Sequence, residues 1–267
     1  MPRKNAQSLA VSILACSLSL LAGLSIPAQA ETGLYIRGGL GIDWSEDARF
    51  RDENCAQTQP PALFSCGLGQ DGRPLAARGD FGTSLAAEAG IGYRFLPALR
   101  GEALISYRPE FEFSGNANFL RTPGPQPVSA DIESLSAMLV GFVDLVGPGM
   151  PSLGPVEPFI GAGFGISRHH VGDVNYAFPG LGANASTVTS GGTSTSVSFM
   201  LVAGAALRLS EWLTLDIAYR HLDLGEVRTE AGPAVITRPR FTRVLEIAGT
   251  EADLATHGIS VSLRFQF

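Results

Sequence analysis

Acyl transfer or hydrolysis needs a nucleophile, a base beside it and a third group that orients the base. The chain has four histidines, His169, His170, His221 and His257, and none stands at a spacing that matches a hydrolase constellation. The pair His169-His170 could bind a metal or titrate near neutral pH; a solvated pair at a loop edge is the plainer reading. No catalytic residue, metal or cofactor is therefore expected. Cys55 and Cys66 lie in a polar, Pro-rich segment, and in an exported chain the default for such a pair is a disulfide. A metal site is the rival reading, but the neighbouring sequence offers no histidine.

The ionisable residues are more informative. Arg37, Arg94, Arg108, Arg208, Arg220 and Arg264 fall in strand-like segments, as do Asp43, Glu88, Glu102, Asp144 and Asp216. Along each segment they alternate with apolar residues, so all of them belong to one face of a sheet. Opposite charges in near balance on one face point to interlocking ion pairs. Lys4 is the only lysine, so every basic residue beyond the N-terminus is a planar guanidinium fork, suited to bidentate binding of carboxylate or phosphate.

The elements that must hold these residues are strands. They are read at about Gly33 to Trp44, Phe81 to Phe95, Leu99 to Phe113, Asp131 to Val146, Val156 to His169, Thr193 to Leu209, Trp212 to Leu224 and His257 to Phe267. Strand six is the clearest, with Val197, Phe199, Leu201, Ala203, Ala205, Leu207 and Leu209 on one face. In strand four, which is apolar throughout, Leu135, Leu139, Val143 and Leu145 are taken as outward and Asp144 as inward. Strand five sets Gly161, Gly163 and Gly165 inward, which leaves room for bulky partners from elsewhere. Long polar segments (about 45–79, 114–130, 172–192 and 225–255) alternate with short turns at Leu96-Pro97-Ala98, Gly147 to Pro155 and Ser210-Glu211.

The two ends say where such a sheet would work. Arg3 and Lys4 precede an apolar run from Leu9 to Ile26, and Ala28-Gln29-Ala30 supplies a small-x-small cleavage pattern, so residues 1–30 read as a cleaved secretory signal peptide. Ile13-Leu14-Ala15-Cys16 only loosely fits a lipoprotein box, because Leu14 is too large for its place. At the other end Ile259, Val261, Leu263, Phe265 and Phe267 alternate with Ser260, Ser262, Arg264 and Gln266, and the chain ends on an aromatic residue. Two of the 19 basic residues and none of the 25 acidic ones lie in the leader, which leaves a mature net charge of −8 and argues against nucleic acid. A mean hydropathy of +0.18 with 16% charged residues is apolar for a soluble protein, yet no later run approaches the ~20 residues of a spanning helix. A closed β-barrel is the one sheet form that satisfies its own backbone in hydrocarbon. A sandwich or lipocalin-like barrel with the apolar face inside is the soluble alternative. The apolar faces end in aromatics (Trp44, Tyr93, Tyr107, Tyr219, Phe267), as interfacial girdles do, which favours the membrane barrel.

Tyr35-Ile36-Arg37-Gly38-Gly39-Leu40-Gly41, Gly90-Ile91-Gly92-Tyr93-Arg94-Phe95 and Asp216-Ile217-Ala218-Tyr219-Arg220-His221-Leu222-Asp223-Leu224-Gly225 resemble the small opacity-type surface barrels. These are similar in plan to the membrane domain of outer-membrane protein A. The resemblance implies an all-β, eight-stranded antiparallel transmembrane barrel over residues 31–267, with long extracellular loops and short periplasmic turns, in the outer membrane of a Gram-negative cell. It implies a surface antigen, adhesin or envelope-stabilising role, with a narrow diffusion pore as the alternative and a lipid-modifying barrel enzyme behind both. A peptidoglycan-binding domain is not expected, since the eighth strand ends the sequence. The expected partners are outer-membrane lipid and lipopolysaccharide, an unknown surface ligand, and the barrel assembly machinery, which would read the C-terminal strand ending in Phe267. Arg228, Arg238, Arg240 and Arg243 in the last long segment are candidates for polyanion contact; a solvated loop of mixed charge is the other reading.

Overall fold

The computed structural model describes residues 32–145 and 156–267. The leader assigned to residues 1–30 and the Gly/Pro turn between strands four and five lie outside the described residues. Eight long strands dominate: β1 (Gly33–Ser45), β4 (Thr83–Leu96), β5 (Leu99–Ala117), β6 (Pro127–Asp144), β7 (Val156–Val171), β10 (Gly192–Arg208), β11 (Leu213–Arg228) and β14 (Thr250–Gln266). Each pairs antiparallel with the next, and β14 returns to β1 from Tyr35↔Gln266 to Ser45↔Thr256. Closure leaves no free edge in this ring, and all its backbone groups can pair around it.

The faces sort as the alternation requires. In β6 outward and buried positions alternate without interruption from Asp131 to Asp144. Leu85 is 68% exposed and Leu201 62%, and they belong to a continuous apolar wall with Ile91, Ile105, Leu139, Phe164, Phe199 and Val261. A soluble protein does not present such a belt to water; hydrocarbon is the medium that suits it. No described helix is long and apolar enough to cross a membrane, and the strands do the crossing.

Inside, one half of the ring carries charge and the other carries bulk. Met138, Val140 and Phe142 of β6 point inward at the three small positions of β7. A Cβ on Gly161 would stand 2.8 Å from the Phe142 ring, and one on Gly163 would stand 3.0 Å from Val140 Cγ2. The glycines thus leave the space that their neighbours' large side chains fill.

The long connections are not irregular, as their polar composition suggests. They contain β2 (Asp47–Asp52), β3 (Ala77–Asp80), β8 (Val174–Ala177), β9 (Ser186–Thr189), β12 (Gly232–Arg238) and β13 (Phe241–Ile247), with one 3-10 turn at Pro179–Leu181. β2 and β3 form a hairpin inserted between the outer ends of β14 and β5, above the points where β1 and β4 stop. β8 adds to β6, β9 to β8, and β12 to β9, with β13 outermost. The barrel wall therefore continues well past the membrane on the side of the long connections.

Candidate functional site, the lumen and its outer cap

Burying a charge is costly unless it is paired and its hydrogen bonds are met. The lumen meets that demand with arginines and carboxylates supplied by different strands. Asp43 on β1 is fully buried. Its Oδ2 accepts from Arg108 Nε of β5 at 2.6 Å, and Arg220 of β11 donates to both its oxygens at 2.9 Å. Arg220 also donates to Glu88 of β4. Arg37 Nη2 lies 2.9 Å from Glu102 Oε1 and 3.8 Å from Glu88; the first is an ion pair off the hydrogen-bonding direction, since that oxygen has no hydrogen-bond partner. Tyr35 donates to the other oxygen of Glu102 at 3.1 Å.

Two smaller groups lie nearer the end with the short turns. Asp144 accepts from Arg100 Nε at 3.0 Å and lies 3.0 Å from Arg94 Nη2. Arg264 grips Asp216 with two bonds of 3.1 and 3.2 Å. The Arg100 guanidinium also stacks 4.1 Å above the Phe142 ring and 4.9 Å from Phe159, so one residue joins the charged half of the lumen to the apolar half. Toward the outer end a relay of hydroxyls continues from Arg108 through Ser136 and Ser167 to Ser198 and the Leu224 carbonyl. His169 is buried against that same carbonyl at 3.0 Å.

The structure brings together ten of the strand charges singled out by alternation: Arg37, Asp43, Glu88, Arg94, Glu102, Arg108, Asp144, Asp216, Arg220 and Arg264. Arg208 is a correction. Its position in the alternation is inward, but β10 ends there, so its side chain is 60% exposed at the rim and pairs with Glu157 at 2.6 Å. Arg100, Tyr35 and the serine relay were missed as network members. Arg100 shares the inward parity of Glu102 and Arg108, and that signal could have found it.

Above the lumen the first long connection folds back as a cap. Cys55 and Cys66 are joined by a disulfide. Asp52, at the end of β2, accepts the backbone N–H groups of Leu63, Phe64 and Ser65 at 2.7–2.8 Å, which turns the loop inward. Burial pushes the Asp52 carboxyl above its ordinary range, against the pull of these three donors. Phe64 then stacks on Phe119 at 5.0 Å and meets Tyr176 edge-on at 6.1 Å. Below it Phe50 packs against Phe81 and Phe113. The outer mouth is thus covered by an aromatic cluster rather than left open.

The four arginines of the last long segment do not act as one group. Arg228 is held by Glu226, with Glu251 at 3.6 Å and Glu53 at 3.9 Å. Arg238 lies 4.8 Å above the Phe178 ring and donates to the Ser186 carbonyl at 2.7 Å. Arg240 and Arg243, on the β12–β13 hairpin, are exposed.

The comparisons agree with this architecture. The family described as outer membrane protein beta-barrel domain matches residues 13–267. No curated protein matches the chain. Among solved structures, the outer membrane protein OprG from Pseudomonas aeruginosa is similar at 16% identity, with 88% of this chain and 96% of that one covered and a TM-score of 0.50. Neisserial surface protein A matches at 14% identity over 88% of this chain and 97% of that one, with a TM-score of 0.45. A sheet closed on itself, an apolar outer wall and a family match over nearly the whole length lead to one statement: the chain belongs to the outer-membrane β-barrel domain family, and it is an outer-membrane protein.

Proposed function

We propose that this protein is a structural and surface-presenting barrel of the outer membrane, with a sealed lumen and a recognition surface built on its outer strands. The observation that carries the reading is Asp43, buried between Arg108 and Arg220 at the centre of an ion-pair network. A barrel of about eight strands has an interior that side chains can fill, and here charged and apolar groups both do so. Solutes do not pass, and the barrel serves as a rigid mount. Single-channel recordings on refolded protein test this: a silent membrane supports the sealed barrel, and steady conductance steps overturn it.

A narrow diffusion pore is the second reading, favoured by the looser contact of Arg37 with Glu88. On either reading the exposed Arg240 and Arg243 are the groups placed to meet phosphates of lipopolysaccharide or another polyanion. The terminal strand β14, followed directly by Phe267, is the element that the assembly machinery would engage. No catalytic role is proposed.

A further inference from the structure

His221 and His257 are 36 residues apart in the chain, but β11 and β14 make them register partners, and β1 places Trp44 beside His257 in the same row. All three point outward. Two residues beyond Trp44, Glu46 continues the ladder, its backbone N–H bonded to the Ala255 carbonyl at 2.9 Å, and its carboxylate reaches back to this row. The result is two imidazoles and a carboxylate at the outer end of the lipid-facing wall, level with the girdle residues Trp44 and Tyr219. Their ligand atoms all lie within 4.8 Å of one another.

One nitrogen of the group is left without a hydrogen bond. Glu46 Oε1 lies 2.8 Å from His257 Nε2 and 3.6 Å from His221 Nδ1. The second distance is too long for a hydrogen bond, and His221 Nδ1 is buried with no hydrogen-bond partner. Meanwhile the other nitrogen of His257 is held by the Tyr219 hydroxyl at 2.5 Å, and the His257 ring lies beside both Trp44 and Tyr219, inclined 25° to each, with centroids 6.4 and 5.9 Å away. An outer partner on the far nitrogen is what fixes the ring of a metal-ligating histidine.

We propose that Glu46, His221 and His257 form a binding site for a divalent transition-metal ion of the zinc type, taken from the external medium. Imidazole and carboxylate are zinc donors, with bonds of about 2.0–2.2 Å, so donor atoms around a tetrahedral ion stand about 3.4 Å apart. The two separations from the carboxylate, 2.8 and 3.6 Å, bracket that value, and with all donors within 4.8 Å a small rotation of the His221 side chain brings the set onto one ion. Calcium and magnesium prefer all-oxygen shells and do not suit this set. Three protein donors leave a fourth position open to water or an outside ligand. One donor lies just past the end of β1 and the others on β11 and β14, so the ion ties the seam where the barrel closes to the start of the capped loop.

The test is calorimetric titration of Zn2+ into the mature protein refolded in detergent micelles, with Ca2+ as the comparison ion. The expected result is one Zn2+ per barrel and no comparable Ca2+ uptake. Affinity should fall at least tenfold in Glu46→Gln, His221→Ala and His257→Ala, and by a smaller factor in Tyr219→Phe, while His170→Ala binds as the parent does. Glu46→Gln is isosteric at an exposed position, and the heat-dependent band shift on detergent gels confirms that each variant is folded. Absence of Zn2+ uptake by the parent overturns the proposal, as does parental affinity in folded Glu46→Gln and both histidine variants. So does equal loss in His170→Ala.

Discussion

Arg220 and Asp43 are 177 residues apart in sequence, yet two parallel bonds of 2.9 Å join the guanidinium to both carboxylate oxygens. The strands that carry them, β11 and β1, do not pair with each other; each pairs with β14. The ion pair therefore reaches across the strand that closes the barrel, inside the wall.

Asp43→Ala should leave Arg108 and Arg220 as buried charges without their main partner. Loss of one member of such a pair costs about 3–5 kcal/mol. The temperature at which the compact band converts to the full-length band on detergent gels is expected to fall clearly. Conversion at the parental temperature would mean that Asp43 contributes no net pairing.

The inward glycines of β7 make a steric prediction. A Cβ on Gly165 would be driven into the Ala137 carbonyl and would stand 2.6 Å from Met138 Cα, whereas nothing lies within 4 Å of one on Gly141. Gly165→Val is expected to lose about 1–3 kcal/mol by overpacking and to refold in lower yield, while Gly141→Ala behaves as the parent. Equal yields for the two would contradict the packing of β6 against β7.

Removing the Cys55–Cys66 disulfide should loosen the cap without opening the barrel. The bond closes a short loop, with a sequence separation of 11, for which chain entropy gives about 2–3 kcal/mol. In a Cys55→Ser/Cys66→Ser protein, protease should cut between residues 53 and 76 faster, while the heat-dependent band shift persists. An uncut loop would show that Asp52 and Phe64 hold the cap by themselves.

The cap should also respond to pH through Asp52, which lies above the membrane. Its carboxyl is raised in the folded state, chiefly by burial, so folding favours the protonated form. That contribution is complete below the ordinary carboxyl range and is lost as pH rises through the raised value. Protection of residues 53–76 from a protease active across mildly acidic pH should decline as pH rises, and Asp52→Asn should flatten the slope. A slope that survives Asp52→Asn would place the titrating group elsewhere.

Polyanion contact should divide the four arginines. Arg240→Ala with Arg243→Ala is expected to weaken retention on immobilised lipopolysaccharide severalfold and to reduce its dependence on salt. Arg228→Ala should not, because Glu226 and Glu251 already engage that side chain. Unchanged retention in the double variant would end the polyanion reading.

Much of the barrel was legible in the chain itself. Period-two alternation is a local property, since successive side chains of a strand leave on opposite faces, so parity alone set Asp43, Glu88 and Arg220 against Leu40, Ile91 and Tyr219. Even in strand four, apolar on both faces, Asp144 marked the inward side. Height and partnership are another matter. Arg208 has inward parity and sits at the rim, because where β10 ends depends on its pairing with β7 and β11. Shortness hid β2, β3, β8, β9, β12 and β13, four to seven residues each, which form by extending an existing wall; the apolar positions that β2 and β8 bury, Phe50 and Tyr176 among them, find their partners on other loops and strands. The meeting of Glu46 with His221 and His257, and of Asp43 with Arg220, depends on register across strands far apart in sequence. Only closure of the ring sets that register, and so only the tertiary structure decided which charges and which histidines face each other.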